Sequence, residues 1–103
     1  MDLEDRLQRV AAREADYDEA RTAVTGLTEA LDRYAAAREA LKRLSAYSDS
    51  GDWLRDFEAD EAGAFPAEMK RGVLAEDALY DLLSDDREAL LRLLETALDV
   101  LRG

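Results

Sequence analysis

Between Asp2 and about Tyr47 the large apolar residues fall at Leu3, Leu7, Val10, Tyr17, Val24, Leu27, Leu31, Tyr34, Leu41 and Leu44. Steps of three, four and seven dominate, which is a helical period and not the two-residue period of a strand. Alanine, Arg, Glu and Leu fill the intervening positions, and all four favour helix. The stretch "TAVTGLTE" is the weak point, because three β-branched threonines and Gly26 lower helix propensity there. A loop usually carries more than one breaker, so the pattern favours one long helix, straight or kinked near Gly26, over two helices with a loop, and a fold-back at Gly26 is the alternative.

The pattern then shortens. In "SDSGDWLRDFEADEAGAFP" the residues Trp53, Leu54 and Phe57 fall on one helical arc, and Asp52, Asp56 and Asp60 on the adjoining one. This predicts a short amphipathic helix with its aromatic side buried and its acidic side in water. Ser50 is its expected N-cap, and Gly63 its left-handed stop after about Ala62. Pro66 suits the first position of another short turn, "PAEMKR", which Gly72 can end. In the last segment, Leu79, Leu82 and Leu83 make one apolar face, and Leu90, Leu94, Ala97, Leu98 and Leu101 a second. With "SDDRE" between them and capping-box spacing from Asp85 to Glu88, the reading is a helix near 76–84 and another near 86–102.

The expected fold is therefore all-α: one domain over residues 1–103, with a long N-terminal helix packed against short middle helices and a C-terminal helix in a helical bundle. So short a helix as that near 52–61 cannot stand alone, so Trp53 and Phe57 are expected to anchor it to the long helices.

Composition narrows the chemistry. The chain has no cysteine and no histidine, which removes thiolate chemistry, the commonest general base and the commonest transition-metal ligand. Fourteen basic residues against twenty-five acidic ones give a net charge of −11. That balance disfavours nucleic acid and anionic membranes as partners. No basic start followed by an apolar run is present, nor a run of apolar residues long enough to span a bilayer, so a soluble cytoplasmic protein is expected. Twelve of the bases are Arg and alanine is abundant, which suggests a GC-rich bacterial genome. The charge is uneven: residues 49–69 carry seven acids and one base, whereas residues 1–48 carry ten acids and eight bases.

The words "DWLRDFEADEAG" and "PAEMKRGVLAEDALYDLL" resemble a small bacterial family classed as domain of unknown function 4298. The resemblance covers Ser45 to Asp86 and rests on Trp-x-x-Asp-Phe-Glu-x-Asp-Glu and Arg-Gly-Val-Leu-x-Glu-Asp-Ala. It implies a helical chain of this length but brings no activity, so no catalytic residue is carried over. The candidate structural or interaction residues are Trp53, Phe57, Asp56, Asp60, Glu61, Arg71, Glu76 and Asp77. Ala75 stands where the family commonly has Ser, the expected N-cap of a helix near 76–84 with Glu76 and Asp77 in its first turn.

Three functional readings follow. The leading one is a helical protein-interaction or structural module. A 45-residue helix spans about 68 Å, more than a C-terminal helix of about 25 Å can cover. Leu3, Leu7 and Val10 would then need a second copy, giving a homodimer through the N-terminal helix, or another protein partner of unknown identity. The second reading is an enzyme, a carboxylate–Mg²⁺ nucleotide pyrophosphohydrolase. It has only half its motif: Glu58-x-x-Glu61 fits, but Glu76 is followed three residues on by Leu79. The third is an acidic DNA mimic or inhibitor, weakened by a long helix that is nearly neutral. The Asp52/Asp56/Asp60 stripe is expected to be solvated or paired with Lys70 and Arg71 and not to hold a metal. No catalytic residue, cofactor or metal ligand is assigned.

Overall fold

The computed structural model describes residues 2–103. Its helices are α1 (Leu3–Asp49), α2 (Asp52–Glu61) and α3 (Ala78–Arg102), with a single-turn 3₁₀ helix at Gly72–Leu74. No strand occurs among the described residues, so the class is all-α. The chain divides into two compact units, Met1–Arg38 and Glu39–Gly103, and α1 contributes to both.

In the first unit, α1 starts at Asp2, whose carboxylate accepts from the Asp5 amide at 2.8 Å. This is the N-cap bond that satisfies one of the free amides of the first turn. The helix runs through Gly26 without a break, as the periodicity predicts. One glycine costs about 1 kcal/mol against alanine, too little to end a helix this long.

The second unit is built around the 3₁₀ turn, on which both α2 and α3 pack. Its buried apolar side chains are Leu74, within that turn, and Leu79, in the first turn of α3. From α1 it takes the half-buried Leu41, Leu44 and Tyr47. The centre of packing is thus a short irregular segment, and not the flank of the long helix as a bundle would have it.

The junction between α1 and α2 is tighter than a serine cap. Gly51 is the N-cap of α2 and has φ 86°, a left-handed conformation that disfavours side chains. Its carbonyl accepts from the Arg55 amide at 3.2 Å. Ser50 lies one residue earlier, where its hydroxyl donates to the Tyr47 carbonyl and accepts from the Asp52 amide. The cap expected at Ser50 therefore belongs to Gly51, because only a left-handed residue reverses the chain within two positions. At the other end the expectation holds. Gly63 has φ 77°, its amide donates to the Asp60 carbonyl, and the Ala64 amide donates to that of Ala59. These two bonds form a Schellman motif.

Two expectations are corrected. "PAEMKR" holds the expected short turn, in which the Met69 amide bonds the Pro66 carbonyl, but Gly72 begins the 3₁₀ helix instead of ending that turn. The helices expected near 76–84 and 86–102 are one, α3. Leu83 and Leu90 are seven residues apart, about two turns, so the two apolar faces are in phase. "SDDRE" contains neither Gly nor Pro, and its mild propensity cost is overridden. The helix begins later than expected, with Asp77 as its N-cap and no side-chain capping bond. Glu76 and Asp77 thus precede the first turn, and Ala75 closes the 3₁₀ helix in an extended conformation.

Candidate functional site

The residues singled out by sequence fall into a connected cluster in the second unit. Trp53 and Phe57, one turn apart on α2, stack with ring centroids 5.1 Å apart and planes at 17°. The Trp53 indole Nε1 donates to the Val73 carbonyl at 2.9 Å, tying α2 to the 3₁₀ turn. Both rings are half-buried and not enclosed, and Leu54 is 53% exposed, so the buried arc is narrower than predicted. One face of Trp53 lines a cleft of about 230 Å³ together with Ser48, Glu76, Leu79 and Tyr80.

The acidic stripe of α2 is not simply hydrated. Asp52 pairs with Arg55 on its own helix, and both side chains are exposed. Asp60 pairs with Arg71 across the connecting segment, with both side chains about three-quarters buried. Asp56 is half-buried and accepts from the Tyr47 hydroxyl at 2.5 Å. The three carboxylates thus have separate partners, two of them cationic. Burial, then the bond to Asp56, then the charges of Asp56 and Asp52 push the Tyr47 phenol up to about 12. Glu61, Glu76 and Asp77 remain exposed. Among the described residues no group of three or more acidic side chains is placed to hold a metal ion.

Sequence reasoning proposed Arg71 as a partner for the stripe and passed over Tyr47. The signal was weak: Tyr47 lies at the end of a long helix, nine residues before Asp56, and only the reversal at Gly51 brings the two together. The Val73 carbonyl had no signal at all, since a backbone acceptor carries no residue identity.

The second feature lies on α1. Leu3, Val10, Tyr17, Val24 and Leu31 recur at strict seven-residue intervals and are 71, 54, 58, 64 and 44% exposed. Among residues 2–38 only Tyr34 is as much as half-buried. On this stretch Arg13 Nε lies 2.9 Å from Asp16, and Arg21 lies 3.7 Å from Asp18 with its guanidinium over the Tyr17 ring. No helix among the described residues is long and apolar enough to cross a membrane.

No curated protein and no solved structure matches the chain. One family model does, over residues 10–96, and this range contains the Trp53–Phe57 stack, the Tyr47–Asp56 and Asp60–Arg71 pairs, and most of the α1 stripe. The chain belongs to the family described as Domain of unknown function (DUF4298).

Proposed function

We propose that the chain is a protein-interaction module that self-associates through α1. The observation that carries this reading is the stripe Leu3, Val10, Tyr17, Val24, Leu31, whose members are each at least 44% exposed. Helices in proteins draw most of their stability from burying an apolar face, and residues 2–38 bury almost none of theirs. Contiguous apolar surface of this kind usually marks an interaction site. The near balance of acids and bases in residues 1–48 lets two copies approach without the repulsion that a charge of −11 suggests.

In this reading the stripe of α1 is the binding surface. The engagement of Asp52, Asp56 and Asp60 by Arg55, Tyr47 and Arg71 favours a structural role for the acidic helix over cation binding.

Light scattering across a hundredfold dilution series from high micromolar concentration tests the proposal. The expected result is a dimeric mass that falls toward 11.5 kDa on dilution, and Val24→Lys should shift the midpoint to higher concentration. A monomeric mass throughout overturns self-association.

A further inference from the structure

We propose that two copies of α1 pair as a parallel, in-register two-stranded coiled coil over residues 3–31. This inference rests on the self-association reading above and adds the geometry of the pair. A strict seven-residue repeat corresponds to 3.5 residues per turn, whereas a straight helix has 3.6, so the stripe drifts by about 20° per heptad. A flat surface cannot follow that drift. A second helix in a left-handed supercoil can, so the occupant is a helix.

The stripe supplies the a positions, and Arg6, Arg13, Ala20 and Leu27 the d positions. Valine at two a positions with leucine at a d position favours two strands. The flanking positions set the orientation. In a parallel pair each g residue faces the e residue five positions later on the other helix. Here Arg9 faces Glu14 of the second copy, and Asp16 faces Arg21 of the second copy. Both contacts are of opposite sign, and two-fold symmetry doubles them.

An antiparallel pair overlapping the whole stripe sets e against e and g against g. With Val10 level with Leu27, Glu14 would meet Arg21 and Leu7 would meet Thr28, while Arg9 and Asp16 would meet Ala30 and Ala23. The opposite-sign contacts would fall from four to two, because Arg9 and Asp16 would face alanine. The cost of the parallel arrangement is Arg6 and Arg13, each opposite its own copy at d. Asp16, 2.9 Å from Arg13 within the chain, offsets that charge while also meeting Arg21 of the second copy. Arg13 can also extend its guanidinium to solvent over its apolar stem.

The chain has no cysteine, so one introduced cysteine reports orientation directly. Val10→Cys places two thiols opposite each other at an a position in the parallel register, within disulfide reach. Mild oxidation of the full chain should give a covalent dimer, while Val10→Cys with Leu27→Cys should gain no separate 10–27 link. A chain that is dimeric by light scattering but forms no Val10→Cys disulfide, or links 10 to 27, overturns the parallel register and leaves self-association standing. A monomeric chain overturns both. As a second arm, Glu14→Arg should weaken the dimer by about tenfold, and adding Arg9→Glu should restore most of the loss. An unchanged dissociation constant for Glu14→Arg would count against the facing pairs.

Discussion

Residues 2–38 and residues 47–79 are both rich in charge, yet they use it differently. In the first stretch bonds such as Arg13 to Asp16 and the Thr28 hydroxyl to the Val24 carbonyl join residues three and four apart. The second has local bonds too, such as Arg55 to Asp52, but others join residues nine, eleven and twenty apart: Tyr47 to Asp56, Arg71 to Asp60, and Trp53 to Val73. The first stretch is therefore specified by local propensity, and its apolar face by nothing within its own unit. The second is specified by tertiary contacts that no single segment encodes. A helix made of local bonds can be long without having a core, whereas the middle segment has to be anchored to exist at all.

The sharpest way to break this contrast is at Trp53. Its ring stacks on Phe57 and its Nε1 holds the Val73 carbonyl, so truncation removes a stack, a hydrogen bond and a half-buried surface together. Trp53→Ala should destabilise the second unit by about 3 kcal/mol, at the lower end for large aromatics because the ring is half-exposed. Urea denaturation followed by circular dichroism at constant slope measures it. A loss below about 1 kcal/mol would show that the aromatic pair does not anchor α2.

A smaller effect is expected at Tyr47. Tyr47→Phe removes the bond to Asp56 and should cost about 1 kcal/mol. The phenol also gives a pH signature. Its value in the fold is raised from 10.0 to about 12. The folded chain then holds a proton that the unfolded chain releases at lower pH. The contribution is fully present below about pH 10 and is lost as pH rises toward 12. Absorbance titration at 295 nm should show one late-ionising tyrosine that is missing in Tyr47→Phe. The alkaline loss of stability should be shallower in the variant.

How much could be read in advance follows the same division. Residues 2–38 were legible because a local period decides a local structure, and Gly26 was too weak a breaker to change it. The Gly63 stop was equally clear, since a left-handed C-terminal position favours glycine whatever surrounds it. Less was legible where tertiary contacts decide. The "SDDRE" stretch has the composition of a cap, but Leu83 and Leu90 are in phase across it and the helix continues. Gly72 resembles a helix stop, but it opens the 3₁₀ turn that carries the buried Leu74. Asp56 was assigned to water because its partner arrives only after the chain reverses at Gly51.

The least disruptive test sets two glycines from the two stretches against each other. At Gly26 the backbone is helical, and an added Cβ meets nothing within 4 Å. Alanine there lowers the entropy of the unfolded chain and raises helix propensity, so Gly26→Ala should stabilise α1 by somewhat under 1 kcal/mol. At Gly51 φ is +86°, and the added Cβ would also lie 3.4 Å from the Arg55 guanidinium. Gly51→Ala should therefore destabilise the second unit by about 1 kcal/mol, through backbone strain and not through a clash, because that guanidinium is the end of a flexible side chain. The readouts must be separate: helicity at 222 nm with dimer dissociation for Gly26→Ala, and the unfolding midpoint of the Trp53 signal for Gly51→Ala. Opposite signs are required. If both substitutions destabilise, α1 is bent or tightly packed at Gly26 and its stripe is not the free surface on which self-association depends. If both stabilise, the reversal that brings Tyr47 to Asp56 does not need its left-handed residue, and the contrast between a locally built stretch and an anchored one loses its physical basis.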